Sequence, residues 1–392
     1  MKFSARTNWE LEENALAARL RERRTRGEEV LDLTVSNPTA CGLVYDREAL
    51  LSPLAAPAAL DYEPEPFGLE SARSAVAEYY RDHEADVPVQ RICLTTSTSE
   101  AYSYLFRLLC DPGDEVLVAR PSYPLFDFIA RLDSVILREY PLHYDPGASV
   151  SSAHAWTIDF EGLRDAITKR TRAIVVVHPN NPTGNYVSDA EREELESLCA
   201  ERNLALIVDE VFLDYPVGTE EKPRTFATGA SPALCFVLSG LSKVCALPQM
   251  KLSWIVARGP RDLVERALAR LEVVADTFLS VNTPTQVALT SWLRGRDSVQ
   301  KQIRERVRTN LVTLDARLRG TKADRLAVEG GWTAVLRVPR QIAGHPFSEA
   351  CLDRGVLLQP GEFYGLPEGR AVVSLLSRPE IWQRGLKLLP ID

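Results

Sequence analysis

Apolar and polar positions in this chain repeat with two different periods. From about Tyr45 to Ala275, apolar runs of four to six residues recur between longer segments of helical spacing, at 92–95, 115–119, 135–140, 173–178, 205–209, 235–239 and 253–257. Runs this short, bounded by turn residues, predict strands, and the helices between them allow those strands to run parallel with both faces covered. The pattern therefore predicts an α/β fold around a mostly parallel, seven-stranded sheet. Upstream, Asn8 is placed to cap a helix through Leu11, Ala15, Ala18 and Leu20 that stops near Gly27, and 30–35 reads as a short strand. Beyond Pro284 a long helical pattern to about Arg319 precedes strands at 333–338, 356–359 and 372–376, which suits a smaller α+β unit. The expected division is a large domain over 45–283, with 1–44 and 284–392 supplying an N-terminal arm and the small domain.

Charge narrows the partners. Lys and Arg number 46 against 54 Asp and Glu, a net charge of -8 with no long basic run, which disfavours nucleic acid and anionic membrane surfaces. Apolar stretches fall far short of the ~20 residues that span a bilayer. Residues 1–6 lead into a polar helix rather than an apolar leader, so a cytoplasmic location is expected. The seven cysteines, at 41, 93, 110, 199, 235, 245 and 351, are scattered without a C-x-x-C pair, which argues against a disulfide framework and a zinc site; no metal is expected. A small-molecule substrate fits this profile best.

The candidate chemistry lies at the strand ends. Asn181-Pro182-Thr183-Gly184, Asp209-Glu210 and Ser239-Gly240-Leu241-Ser242-Lys243 all fall at or just past the carboxyl end of a predicted strand, where open α/β sheets bind ligands. Asp209 closes the apolar run 205–208, where an unpaired carboxylate is costly and a protonated ring nitrogen is a suitable partner. Asn181 sits in a stiff turn that can aim its amide at a ring oxygen. In Thr95-Thr96-Ser97-Thr98-Ser99-Glu100, Ser97, Thr98 and Ser99 open a helix whose N–H groups and hydroxyls suit a phosphate, although the same run is also an ordinary capping box. Tyr123 can stack on a flat ring. A Ser-Lys pair alone is commonplace. An amine, a buried carboxylate, a ring-oxygen donor and a phosphate seat in this order read as a pyridoxal 5'-phosphate (PLP) site, with Lys243 as Schiff-base lysine and proton-transfer base.

The order of motifs resembles the class I/II aminotransferases of PLP fold type I, from about Val30 to the C-terminus. The matching elements are Tyr62 with Gly68 six residues on, the 96–101 phosphate loop, Asp111-Pro112-Gly113-Asp114, Pro121-Ser122-Tyr123-Pro124, Asn181-Pro182-Thr183-Gly184, Asp209-Glu210 and Ser242-Lys243. The resemblance implies transfer of an amino group between an amino acid and a 2-oxo acid, with Ser242 beside the cofactor. It also implies a homodimer with shared active sites, in which Tyr62 reaches the phosphate of the neighbouring subunit. The chain departs from the family pattern at four positions. Ser97 stands where glycine is usual, Phe212 where a tyrosine follows the aspartate by three residues, Lys251 where an arginine binds phosphate, and Val372 where an arginine clamps the substrate carboxylate. Phe212 cannot donate to the ring oxygen, so the Schiff base is expected to hold its proton more tightly than in relatives with the tyrosine. Lys251 keeps the charge but not the bidentate fork. Arg370, on the same strand face as Val372, and Arg378, just past the strand, are candidate replacements for the carboxylate clamp, and Asn37 lies in the segment that borders the substrate in the family. Two other readings remain at this stage. One is a PLP-dependent lyase or other carbanion chemistry on the same fold; the other is a binding protein without turnover.

Overall fold

The apolar runs become strands, and in all but the one at 136–144 nearly every side chain is enclosed. In the computed structural model, which describes residues 1–9, 11–148, 154–218, 223–279, 281–342 and 344–392, they form β1 (Ile92–Thr95), β2 (Glu115–Arg120), β3 (Ile136–Tyr144), β5 (Thr171–Val177), β6 (Ala205–Asp209), β7 (Cys235–Gly240) and β8 (Ser253–Arg258). An eighth strand, β4 (Trp156–Ile158), escaped the sequence reading because three residues carry too little periodicity. The described residues give the order β1-β8-β7-β6-β5-β2-β3-β4. Only β8 and the edge strand β4 run against the other six. All residues of β6 and β7 are buried, as continuous apolar runs in a sheet covered on both faces require. Chain progression runs outward from β2 to β3 on one side and from β5 through β6 to β7 on the other. The crevice between the carboxyl ends of β2 and β5 is thus the switch point where such sheets bind ligands.

A second, antiparallel sheet joins β9 (Asp324–Arg325), β10 (Thr333–Arg337), β11 (Gln359–Pro360) and β12 (Arg370–Ser374) in the order β9-β10-β12-β11. The predicted strand at 356–359 is split: Val356–Leu357 pairs in parallel with Leu31–Asp32, and Gln359–Pro360 pairs with β12. The helical pattern beyond Pro284 is likewise two helices, Thr283–Arg294 and Arg296–Leu318, separated at Gly295. At the N-terminus the cap is Asn14 rather than Asn8. Its Oδ1 accepts the Ala17 N–H at 2.8 Å and starts the helix Ala15–Thr25, whereas Asn8 ends a short 3-10 turn. Six of the seven cysteines are buried and all seven are free thiols. Among the described residues no helix is long and apolar enough to cross a membrane.

Candidate active site

Lys243 enters the site on a single turn of helix, Leu241–Val244, that follows β7 directly. The approach is tight: a Cβ on Gly240 would lie 2.2 Å from Ser253 Oγ, so only glycine lets the chain turn there. The Tyr215 hydroxyl donates to the Lys243 carbonyl at 2.6 Å and fixes the backbone beneath the lysine. Lys243 Nζ lies 5.3 Å from the centre of the Trp332 ring and 5.5 Å from that of Phe212. Burial lowers its pKa below the ordinary lysine value, with Asp209 pulling the other way. A lysine in this setting has a larger share of the free amine that attacks an aldehyde.

Asp209 ends β6 and is 7% exposed. Its Oδ1 accepts the Val211 N–H at 3.0 Å and its Oδ2 accepts the Tyr102 hydroxyl at 3.1 Å. Burial raises its pKa to about 6, against the pull of the Val211 and Tyr102 hydrogen bonds and of Lys243. Two donors leave the carboxylate with acceptor capacity for a third, which a protonated ring nitrogen would fill.

Asn181 is placed by a turn that docks onto the second sheet. Gly184 has φ +74°, and a Cβ there would lie 2.6 Å from the Gly330 carbonyl oxygen; Thr333 Oγ1 donates to the Pro182 carbonyl at 2.9 Å. Asn180 is taken up inside the turn, donating to Thr183 Oγ1 at 2.7 Å and to the Pro121 carbonyl at 3.1 Å. Asn181 faces the cavity instead, and its Oδ1 is buried without a partner.

These groups line one cavity of about 290 Å³. Of the residues singled out from sequence, Thr98, Ser99, Tyr123, Asn181, Asp209, Ser242 and Lys243 face it, together with Phe212 and Val372. Ser97, Lys251, Tyr62, Asn37, Arg370 and Arg378 do not line it. Ser97 is spent as the N-cap of the helix Thr98–Leu109, where its Oγ accepts the Glu100 N–H at 3.1 Å. Lys251 is exposed, in a left-handed conformation of φ +53°. Tyr62, 69% exposed, borders a separate hollow with Gly68 and Gln286. Asn37 caps a 3-10 turn by accepting the Thr39 N–H at 3.1 Å, and it is Ser36 and Thr34 that face the cavity. Arg370 donates to the Gly369 carbonyl at 3.0 Å, and the exposed Arg378 lies against Gly42. Val372, at the cavity wall, also packs in an apolar cluster with Trp156, Leu326, Val335, Tyr364 and Leu366. Lys243 and Asp209 are therefore the charged groups among the described lining residues. Sequence reasoning missed Tyr102 and Trp332. Tyr102 was foreshadowed by its spacing, four residues after Thr98 on the same helix face; nothing local pointed to Trp332.

The residues fit PLP: the amine, the carboxylate with spare acceptor capacity and the Asn181 amide, whose NH2 can donate to a ring oxygen, converge on one cavity, with Thr98 and Ser99 in the first turn of a helix whose dipole favours an anion. Bound there, PLP supplies an aldehyde for an amine and a ring that withdraws electrons from the substrate's α-carbon.

A mixed α/β sheet with a lysine and an aspartate at the carboxyl ends of neighbouring strands defines a class, and comparison with known proteins agrees. The sequence matches the family described as aminotransferase class I and II over residues 48–381. It is 31% identical over 289 residues to glutamate-pyruvate aminotransferase AlaA of Escherichia coli (strain K12), covering 73% of this chain and 68% of that protein. It is 29% identical over 290 residues to the alanine aminotransferase of Mycobacterium tuberculosis (strain H37Rv), covering 72% of this chain and 64% of that protein. In fold it superposes on an alanine aminotransferase from Pyrococcus furiosus with a TM-score of 0.86 at 23% identity, covering 99% of this chain and 98% of the other. The chain belongs to the class I and II aminotransferases. It is a PLP-dependent transaminase of fold type I, moving an amino group between an amino acid and a 2-oxo acid.

Proposed function

We propose that Lys243 is the Schiff-base lysine and that its Nζ, once released, carries the proton to and from the substrate's α-carbon in both halves of the exchange. Asp209 holds the ring nitrogen, Asn181 meets the ring oxygen, Tyr123 lies against the ring, and Thr98, Ser99 and Ser242 bind the phosphate end. The observation that carries this reading is the convergence of Lys243, Asp209 and Asn181 on one cavity from the ends of three neighbouring strands. The amino donor carries an uncharged side chain, because Leu125, Phe126, Ile129, Phe212, Trp332 and Val372 line the cavity and no arginine of the described residues does. Alanine is the first donor to try, since the relatives at 29–31% identity are named for alanine or for glutamate and pyruvate. The substrate's α-carboxylate is left to neutral donors, the Asn181 amide and the Ser36 hydroxyl.

The working unit is a homodimer in the cytoplasm, with Tyr62 at the neighbour's phosphate; the exposed Tyr62 ring supports that placement. The chain divides into a large domain at 45–283 and a small one from 1–44 and 284–392, in keeping with the two sheets. The test is borohydride reduction of the PLP-bound protein followed by peptide mass mapping. The adduct is expected on Lys243 and absent from Lys243→Ala; an adduct on another lysine would overturn the assignment.

A further inference from the structure

The helix Thr98–Leu109 presents a second group to the site besides its phosphate-binding first turn. Tyr102 lies three residues after Ser99 and four after Thr98, so the three side chains share one helix face, and all three line the cavity. The phenol is 2% exposed and its ring is wedged edge-on against Phe126, with centroids 5.0 Å apart, and beside Phe106 at 6.0 Å. From that fixed position its O–H donates to Asp209 Oδ2 at 3.1 Å.

We propose that Tyr102 is a positioning residue, whose hydroxyl clamps one Asp209 oxygen so that the carboxylate faces the cofactor's ring nitrogen as an acceptor. The inference rests on the PLP reading above. Val211 N–H anchors Oδ1 at 3.0 Å, so the carboxylate plane is held from both sides. Burial and the neighbouring Asp209 charge push the Tyr102 phenol well above the ordinary tyrosine range, so it donates at every working pH. A donor to a carboxylate favours the charged form, which offsets the desolvation that burial imposes on Asp209. The other titratable groups that sense Asp209 are Lys243, Tyr123 and Tyr80; of these, only Lys243 is a cation. One rigid helix thus ties the phosphate seat to the brace on the ring-nitrogen partner.

The experiment follows the Asp209 carboxyl by 13C NMR through a pH titration of full-length protein freed of cofactor, with the signal assigned by Asp209→Asn. In Tyr102→Phe the Asp209 midpoint is expected to move up by about one pH unit, the size of a lost hydrogen bond to a charged group. Phe106→Leu disturbs the same packing but keeps the donor, and should leave the midpoint in place. An unmoved midpoint in Tyr102→Phe, or an equal shift in Phe106→Leu, would overturn the proposal. Borohydride trapping at Lys243, run on reloaded samples of each variant, reports separately on the PLP reading, so failure of one is not mistaken for failure of the other.

Discussion

Lys243 Nζ lies 5.5 Å from the centre of the Phe212 ring, and that ring carries no hydroxyl where it borders the cavity. The cavity therefore lacks a phenolic donor at this position, and Asn181 is left as the nearby amide for the ring oxygen. Phe212→Tyr adds such a donor. The visible absorbance of the PLP-bound variant should titrate lower than the wild type by about one pH unit, since a donor to the deprotonated form stabilises it. An unchanged or raised midpoint would show that Phe212 does not face the ring oxygen.

Asp209 gives a stability prediction with a definite sign. Its pKa is raised from 3.8 to about 6 in the folded, cofactor-free chain, so the folded state binds more protons than the unfolded one between those values, and stability falls as pH rises through that window. Two units correspond to roughly 3 kcal/mol lost above pH 6. Asp209→Asn should therefore raise the thermal midpoint of the cofactor-free protein at pH 8 and have little effect at pH 3. The same variant should lose on the order of a hundredfold or more in transamination, because a neutral amide cannot hold a protonated ring nitrogen. A midpoint at pH 8 below that of the wild type would contradict the sign.

Ser97 and its two neighbours should separate in their effects. Ser97 caps the helix through the Glu100 N–H, so Ser97→Ala should cost about 1 kcal/mol of folding stability and leave PLP affinity within about twofold. Thr98→Val and Ser99→Ala, in the cavity, should weaken PLP binding instead. Denaturant unfolding and a PLP titration measure the two quantities; a large affinity loss in Ser97→Ala would return Ser97 to the phosphate seat.

Arg370 and Arg378 stand outside the cavity, so Arg370→Ala and Arg378→Ala should each change the Kd of the amino donor by less than about threefold, under 0.7 kcal/mol. Val372→Arg does not restore a clamp. It sets a long cationic side chain against Val335 and Leu366 at the cavity wall, and the expected result is destabilisation rather than tighter substrate binding. A tenfold loss of affinity in either alanine variant would bring that arginine into the substrate site.

Lys243, Asp209 and Asn181 were legible in the sequence because each sits where an apolar run stops, and the end of a run marks the rim of the sheet whatever the rest of the chain does. Thr98 and Ser99 were legible as the first turn of a helix. Adjacent positions were less so: Ser97 and Asn37 carry the right chemistry, but local backbone N–H groups claim their oxygens, a competition that residue type alone does not reveal. Val372 lies in the second sheet and Trp332 directly precedes one of its strands, and their place in the wall of the cavity is set by how the 180–185 turn docks there, which is tertiary packing. The eighth strand and the break at Gly295 were hidden for a plainer reason, since three residues or one glycine are too few to interrupt a period.

The most direct test of the account is a single-turnover reaction of the PLP-bound protein with excess alanine, followed by visible absorbance and mass analysis of the products. The account predicts loss of the aldehyde form of the cofactor, with pyridoxamine phosphate and pyruvate in equal amounts, and no reaction in Lys243→Ala. Release of ammonia or carbon dioxide with the cofactor unchanged, or no turnover with alanine or any other amino acid, would contradict it.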